Sequence, residues 1–185
     1  MPLSPAQIAT LKADILASPD MNAAPMSNIG HMAIRDLYDA PSAKDLWDSA
    51  TPIDRVNNAV DISKYTPADA PDTTQIYTNR VLACQTKLMA LQNYILRPGT
   101  LDATKAVVRA GLRDSVMQIP GGAGGAMVAS AGASGVTVLT ACTRKATRYE
   151  SLFATATEVT GSTTAYIPVL QGAINVEDIA IARES

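Results

Sequence analysis

The sequence predicts a mainly α fold, a helical bundle with a Gly/Ala-rich loop and an extended, strand-like C-terminal arm. Three observations predict it. Tyr77, Val81, Cys84, Leu88, Leu91 and Ile95 recur with 4-3-4-3-4 spacing, the repeat of one face of a long helix. Hydrophobic residues make up 47% of the 185 residues but aromatics only 4%, so the core must come from Ala, Val, Ile, Leu and Met. Such small side chains let helices approach closely, though each contributes little burial energy. Finally, residues 155–164 are rich in Thr, Gly and Ser and lead into Ala165-Tyr166-Ile167-Pro168-Val169-Leu170-Gln171, which reads as extended. Pro168 cannot donate to a ladder and confines that segment to a sheet edge.

The elements follow in order. Ser4 is an N-cap, Pro5 sits at the first helical position and Gln7 completes a capping box, with Ile8, Leu11, Ile15 and Leu16 on one face. Pro19 stops that helix. A second helix spans about 28–39 with a broad apolar face, Ile29, Met32, Ala33, Ile34 and Leu37, and ends at Pro41. Ser42 caps a short turn over 43–48. Pro52 opens a short helix carrying Ile53, Val56 and Val60. The stretch 61–72 holds Pro67 and Pro71 and reads as a surface loop, with a brief extended piece at 61–65.

The longest helix runs from a cap at Asp72 or Thr73 to about Leu96. Leu82, Met89 and Leu96 widen its stripe, and Pro98-Gly99 breaks it. Another helix covers 102–119, with Val107, Val108, Leu112, Val116 and Ile119 apolar and Pro120 as its stop. Residues 120–135, PGGAGGAMVASAGASG, carry no charge and are entropically costly to order, so they read either as a flexible loop or as a surface that orders against something. Residues 136–154 read as a helix burying Val138, Leu139, Cys142, Ala146, Tyr149, Leu152 and Phe153. Asn175 caps a last short helix over 176–182. The expected organisation is a helical body at 1–154, with loops at 61–72 and 120–135, followed by linker, arm and terminal helix at 155–185.

Candidate chemistry is sparse. His31 is the single histidine, which removes a Ser/His/Asp triad, a Cys/His dyad and any multi-histidine metal site; it reads as a structural residue. Cys84 and Cys142 have no metal or redox spacing and read as small hydrophobes in a reducing compartment. Gly121-Gly122-Ala123-Gly124-Gly125 lacks the Gly-Lys-Ser/Thr that would hold phosphate and magnesium. The scattered acidic pairs, Glu177-Asp178 and Asp69 with Asp72, have no calcium-loop spacing. No catalytic residue, metal or cofactor is expected, and the chain reads as a non-enzyme.

Two segments read as partner contacts. Arg144, Lys145 and Arg148 form the densest basic cluster, with Arg144 and Arg148 on one helical face. They are either a solvated face or a contact to an acidic partner surface or to DNA phosphates. Tyr166, Ile167, Val169 and Leu170 of the arm either add a strand to a neighbour's sheet edge or fold back on their own body. Net charge is −2, which gives no global pull toward nucleic acid. The opening Met1-Pro2-Leu3-Ser4-Pro5 lacks the basic region and apolar run of a signal peptide, and no stretch approaches the roughly 18 apolar residues of a membrane span.

The order of certain blocks carries a resemblance. They are residues 2–12, Leu46-Trp47-Asp48, Leu101-Asp102 through Arg109-Ala110-Gly111-Leu112, and residues 138–154 followed by a Thr/Gly-rich linker, an extended segment and a short helix ending near Ala182-Arg183. In this order the chain resembles a family of short tailed-phage and prophage proteins that are similar to head-to-tail connector, or neck adaptor, proteins. The resemblance implies a structural virion protein of the neck, present in the host cytoplasm during assembly. It implies a ring of copies on the portal protein, joined to a tail or second neck protein, with DNA passing through the lumen and no membrane partner. The arm would reach a neighbouring subunit or the portal. Other virion roles, capsid decoration or a tail terminator, stay open, as does a helical binding module dimerising through the Tyr77-to-Ile95 face.

Overall fold

The computed structural model describes residues 2–65, 77–119, 128–130, 138–154, 156–160 and 163–185. Helices and strands are interspersed along it, and four of the strands form one sheet. The fold is therefore mixed α/β, which corrects the expected mainly α bundle.

The helices are α1 (Pro5–Ala17), α2 (Pro19–Asn22), α3 (Asn28–Asp39), α4 (Ile53–Asn58), α5 (Tyr77–Ile95), α6 (Ala106–Val116), α7 (Arg148–Phe153) and α8 (Val176–Glu184). The strands are β1 (Pro41–Trp47), β2 (Thr51–Pro52), β3 (Thr100–Leu101), β4 (Met117–Ile119), β5 (Val128–Ser130), β6 (Thr143–Thr147), β7 (Thr157–Thr160) and β8 (Thr163–Tyr166). The four-stranded sheet has the order β6-β1-β8-β7, with β1 and β8 parallel and Leu46 opposite Tyr166. Two antiparallel pairs stand apart from it, β2 with β3 and β4 with β5.

By contact density the chain forms two compact units. Unit 1 comprises Met1–Leu46, Lys145–Thr157 and Tyr166–Ser185, and unit 2 comprises Trp47–Arg144 and Glu158–Ala165. Each draws on residues from both sides of position 154.

In unit 1 the α1 start forms as its sequence dictates. The Ser4 hydroxyl accepts from the Gln7 amide and the Gln7 side chain accepts from the Ser4 amide at 2.8 Å, satisfying two donors that a helix start leaves open. Pro19 ends α1 and also opens α2, where its fixed φ and missing N–H suit the first helical position. Leu11 and Ile15 of α1 meet Met21, Ile34, Tyr38, Tyr149, Phe153, Ile174, Ile179 and Ala182 in one buried cluster. Tyr149 and Phe153 are edge-to-face with centroids 5.4 Å apart, a geometry aromatic quadrupoles favour. The broad apolar face expected of α3 is narrower in fact. Ile34 and Tyr38 are buried, whereas Ile29, Met32 and Leu37 are exposed.

Four further expectations are corrected. Residues 43–47, expected in a turn over 43–48, are the end of a strand: Leu46 finds its partner in Tyr166, 120 positions on, which no local signal announces. The single helix expected over 136–154 is a 3-10 turn (Thr140–Cys142), then β6, then α7. Threonines at 143 and 147 are stiff at χ1 and favour extended backbone. Thr147 then restarts a helix by capping it, its hydroxyl accepting from the Glu150 amide at 3.2 Å. The 61–65 piece is a 3-10 turn (Ile62–Tyr65) because Asp61 accepts from both the amide and the hydroxyl of Ser63. Residues 117–119 leave the α6 helix to pair with 128–130, so part of the stretch read as loop is strand.

In unit 2, α5 and α6 pack together and α4 packs on α5. The α5 stripe points inward at Cys84 and Leu91, both buried, while Leu82, Met89 and Leu96 on the other side are exposed. Readings that fall on 66–76, 120–127 and 131–137, including the start of the long helix and most of the Gly/Ala stretch, lie outside the described residues.

Gly30 tests how tightly unit 1 closes. A Cβ at this buried α3 position would collide with the backbone carbonyl of Pro25, which cannot swing aside as a side-chain tip would. Alanine normally favours a helix interior by about 1 kcal/mol over glycine. Gly30→Ala should nevertheless lower the urea unfolding midpoint. A midpoint at or above the parent value would show that the 25–27 turn yields.

Candidate functional site

His31, in the first turns of α3, is 8% exposed, and its Nε2 has no hydrogen-bond partner. Cys142 is fully buried, and its thiol is directed at the Val138 carbonyl at 3.4 Å. Burial pushes that thiol up to about 12; Asp48 adds to the rise and Arg55 opposes it. Burial also raises Cys84. A thiol held protonated is neither a nucleophile nor a metal ligand at neutral pH. Among the described residues no group of three or more His, Cys, Asp and Glu could hold a metal ion, and no helix is long and apolar enough to cross a membrane.

The basic cluster is dispersed by the fold. Arg144 lies in β6 and meets Asp48 at 3.8 Å. Lys145 pairs with Asp45 at 3.0 Å. Arg148 opens α7 and pairs with Asp14 at 3.2 Å. Because the backbone changes from strand to helix at Thr147, Arg144 and Arg148 do not share a helical face, which corrects the expected arrangement. Each cation is instead matched to its own carboxylate. Around Asp14 the pairing is a small network: the Tyr38 hydroxyl donates to Asp14 at 2.8 Å and the Arg148 guanidinium lies 5.7 Å from the Tyr38 ring centroid. Burial, then Asp14, raises the Tyr38 hydroxyl above its ordinary range.

Of the two arrangements open to the arm residues, the structure has them folded back on their own chain. Tyr166 ends β8, an interior strand of the sheet, and lies under the Lys44 ammonium at 4.6 Å. The strand stops before Pro168, so that proline imposes no edge position. The Ile167 amide donates to the Ala156 carbonyl at 3.0 Å, and Leu170 packs on the unit 1 core. Of the four, Val169 is the one that is more than half exposed. The arm is folded onto its own chain.

Sequence reasoning missed the polar networks that the fold does build. In unit 2, Arg109 is 2% exposed. Its Nη1 donates to the carbonyls of Ala103 and Thr104, both at 2.8 Å, its Nε donates to the Thr160 hydroxyl at 3.1 Å, and Nη2 pairs with Glu158. The guanidinium stacks on Trp47 at 4.8 Å, and the indole N–H donates to the Glu158 carbonyl at 3.3 Å. Burial lowers the Arg109 pKa from its ordinary value. Asp48 is the second junction. Its amide donates to the Cys142 carbonyl, its carbonyl accepts from the Ala103 amide, and its carboxylate accepts from the Ala50 amide and faces Arg55 and Arg144. In unit 1, Glu150 is 1% exposed and accepts from the amides of Thr147 at 3.0 Å and Gly172 at 3.2 Å. Gly172 has φ +95°, a conformation that suits glycine. These networks hold backbone in place and offer no nucleophile with an adjacent base.

Two outcomes follow. Arg109→Met strips its partners of donors, orphaning two carbonyls, and should destabilise unit 2 by about 3 kcal/mol. It should also shift the emission of Trp47, the single tryptophan; denaturation followed by that fluorescence checks both. For the thiols, neither Cys84 nor Cys142 should react with a disulfide reagent at pH 8 in the native chain, and both should react once unfolded. Because folding keeps Cys142 protonated while the unfolded thiol ionises near pH 8.5, stability from this group should fall as pH climbs from about 9 toward 12. Rapid native labelling would contradict the buried placement.

No protein-family model matches the chain, and no curated protein or solved structure gives a match.

Proposed function

We propose that this chain is a non-enzymatic structural protein of the tailed-phage head–tail junction, assembling as a ring on the portal and joining it to the tail, with DNA passing through the lumen. The observation that carries the reading is where the resembling blocks fall. Trp47, Arg109, Glu150 and Phe153 are all buried and hold loops and helices in place, so what the chain has in common with neck adaptor proteins is the set of residues that would keep a shape. A structural component needs a shape and a surface, and this chain has both. Ile29, Val107 and Leu96 are each more than 70% exposed, apolar surface of the sort that partners cover.

Two parts of the expected mechanism take a different form. With β8 inside its own sheet, association would use exposed side chains and not a strand handed to a neighbour. With Arg144, Lys145 and Arg148 each paired, contact with DNA would be passage without a dedicated basic surface. The alternative of a dimer formed through the Tyr77-to-Ile95 face is disfavoured, because Cys84 and Leu91 of that face are already buried within unit 2.

Cryo-EM of particles from the phage or prophage that encodes the chain tests the reading. Ring-shaped density between portal and tail that fits this fold is the expected result. Density over the capsid lattice, or no such density in any particle, would overturn it.

A further inference from the structure

Unit 1 carries a cleft of about 740 Å³ beside the first turn of α8. Its walls are partly apolar, with Val169, Leu170 and Ile181, and partly acidic, with Glu177 and Asp178; no Lys, Arg or His lines it. Acidic residues in the first turn of a helix complement its dipole, and that accounts for exposed Glu177. It does not account for Asp178, which is 6% exposed. The side chain that caps α8 is Asn175, which accepts from the Glu177 amide at 3.2 Å. Among the described residues the Asp178 carboxylate makes no hydrogen bond or ion pair, and neither does the hydroxyl of Tyr149, also 6% exposed and lining the same cleft. Burial, then the nearby Asp178 charge, raises the Tyr149 hydroxyl.

A carboxylate of a largely buried residue that no protein donor meets favours an occupant that brings its own N–H groups. The occupant must also cover apolar wall, which a cation on an aliphatic stem does. A guanidinium, with five donors in a planar fork, can engage a carboxylate bidentately, which a compact ammonium cannot.

We propose that this cleft binds an arginine side chain presented by a partner polypeptide, with the guanidinium on Asp178 and Glu177 and the stem along Leu170 and Ile181. Such a site requires neither a ring nor a portal, so it stands or falls separately from the virion reading.

The test is an amide NMR titration of the full chain with Nα-acetyl-arginine methylamide. Saturable shifts at Gly172, Ala173, Glu177 and Ile181 are expected, with affinity falling at least tenfold for the uncharged norleucine analogue and at least tenfold in Asp178→Asn. If that variant does not fold, Glu177→Gln at an exposed position should weaken binding at least threefold at low salt. No saturable shift at these amides, equal binding of the norleucine analogue, or unchanged affinity in the variant would overturn the site. Equal binding of the lysine analogue would overturn the assignment to arginine.

Discussion

The buried guanidinium of Arg109 is the constraint around which unit 2 is arranged. A charge withdrawn from water needs partners for its donors, and here they reach two backbone carbonyls, a hydroxyl and a carboxylate, while the flat face rests on Trp47. The carbonyls belong to Ala103 and Thr104, just before α6, so the helix that carries Arg109 also ties down its own lead-in. Trp47 and Glu158 come from distant parts of the sequence, and the same side chain draws them together.

Unit 1 repeats the device with opposite charge. Glu150 accepts from the amide that precedes α7 and from the Gly172 amide, so a buried carboxylate holds the turn before α8 against α7. This use of charge follows from composition. With only 4% aromatics, the core side chains are small, and burial alone gives each loop little to hold it. Charged side chains that satisfy backbone groups supply direction that apolar contacts lack, because hydrogen bonds are specific in geometry.

That economy shapes the surface. Cations that a charge map would display as a basic patch are each matched to a nearby carboxylate, and the segment that looks like a free arm is part of a sheet and a core. Outward features include apolar residues such as Ile29 and Val107 and an acidic, partly apolar cleft. A surface of that kind suits contact with other chains, which is the setting the virion reading supplies.

By itself the sequence determined the features governed by neighbours in the chain. The Ser4-Pro5-Gln7 helix start, the 28–39 helix, the short helix after Pro52, the break after Ile95 and the Asn175 cap are all present, because capping and proline stereochemistry act over three or four residues. Only the tertiary structure decided that β1 and β6 are strands, since a pleated segment is stabilised by a partner far along the chain and their local pattern passed for turn and helix. It likewise decided that Arg109 and Glu150 are buried and that Asp178 lines a cleft without a donor. Burial of a charge depends on which backbone groups converge on it, and that convergence exists only once the chain has folded.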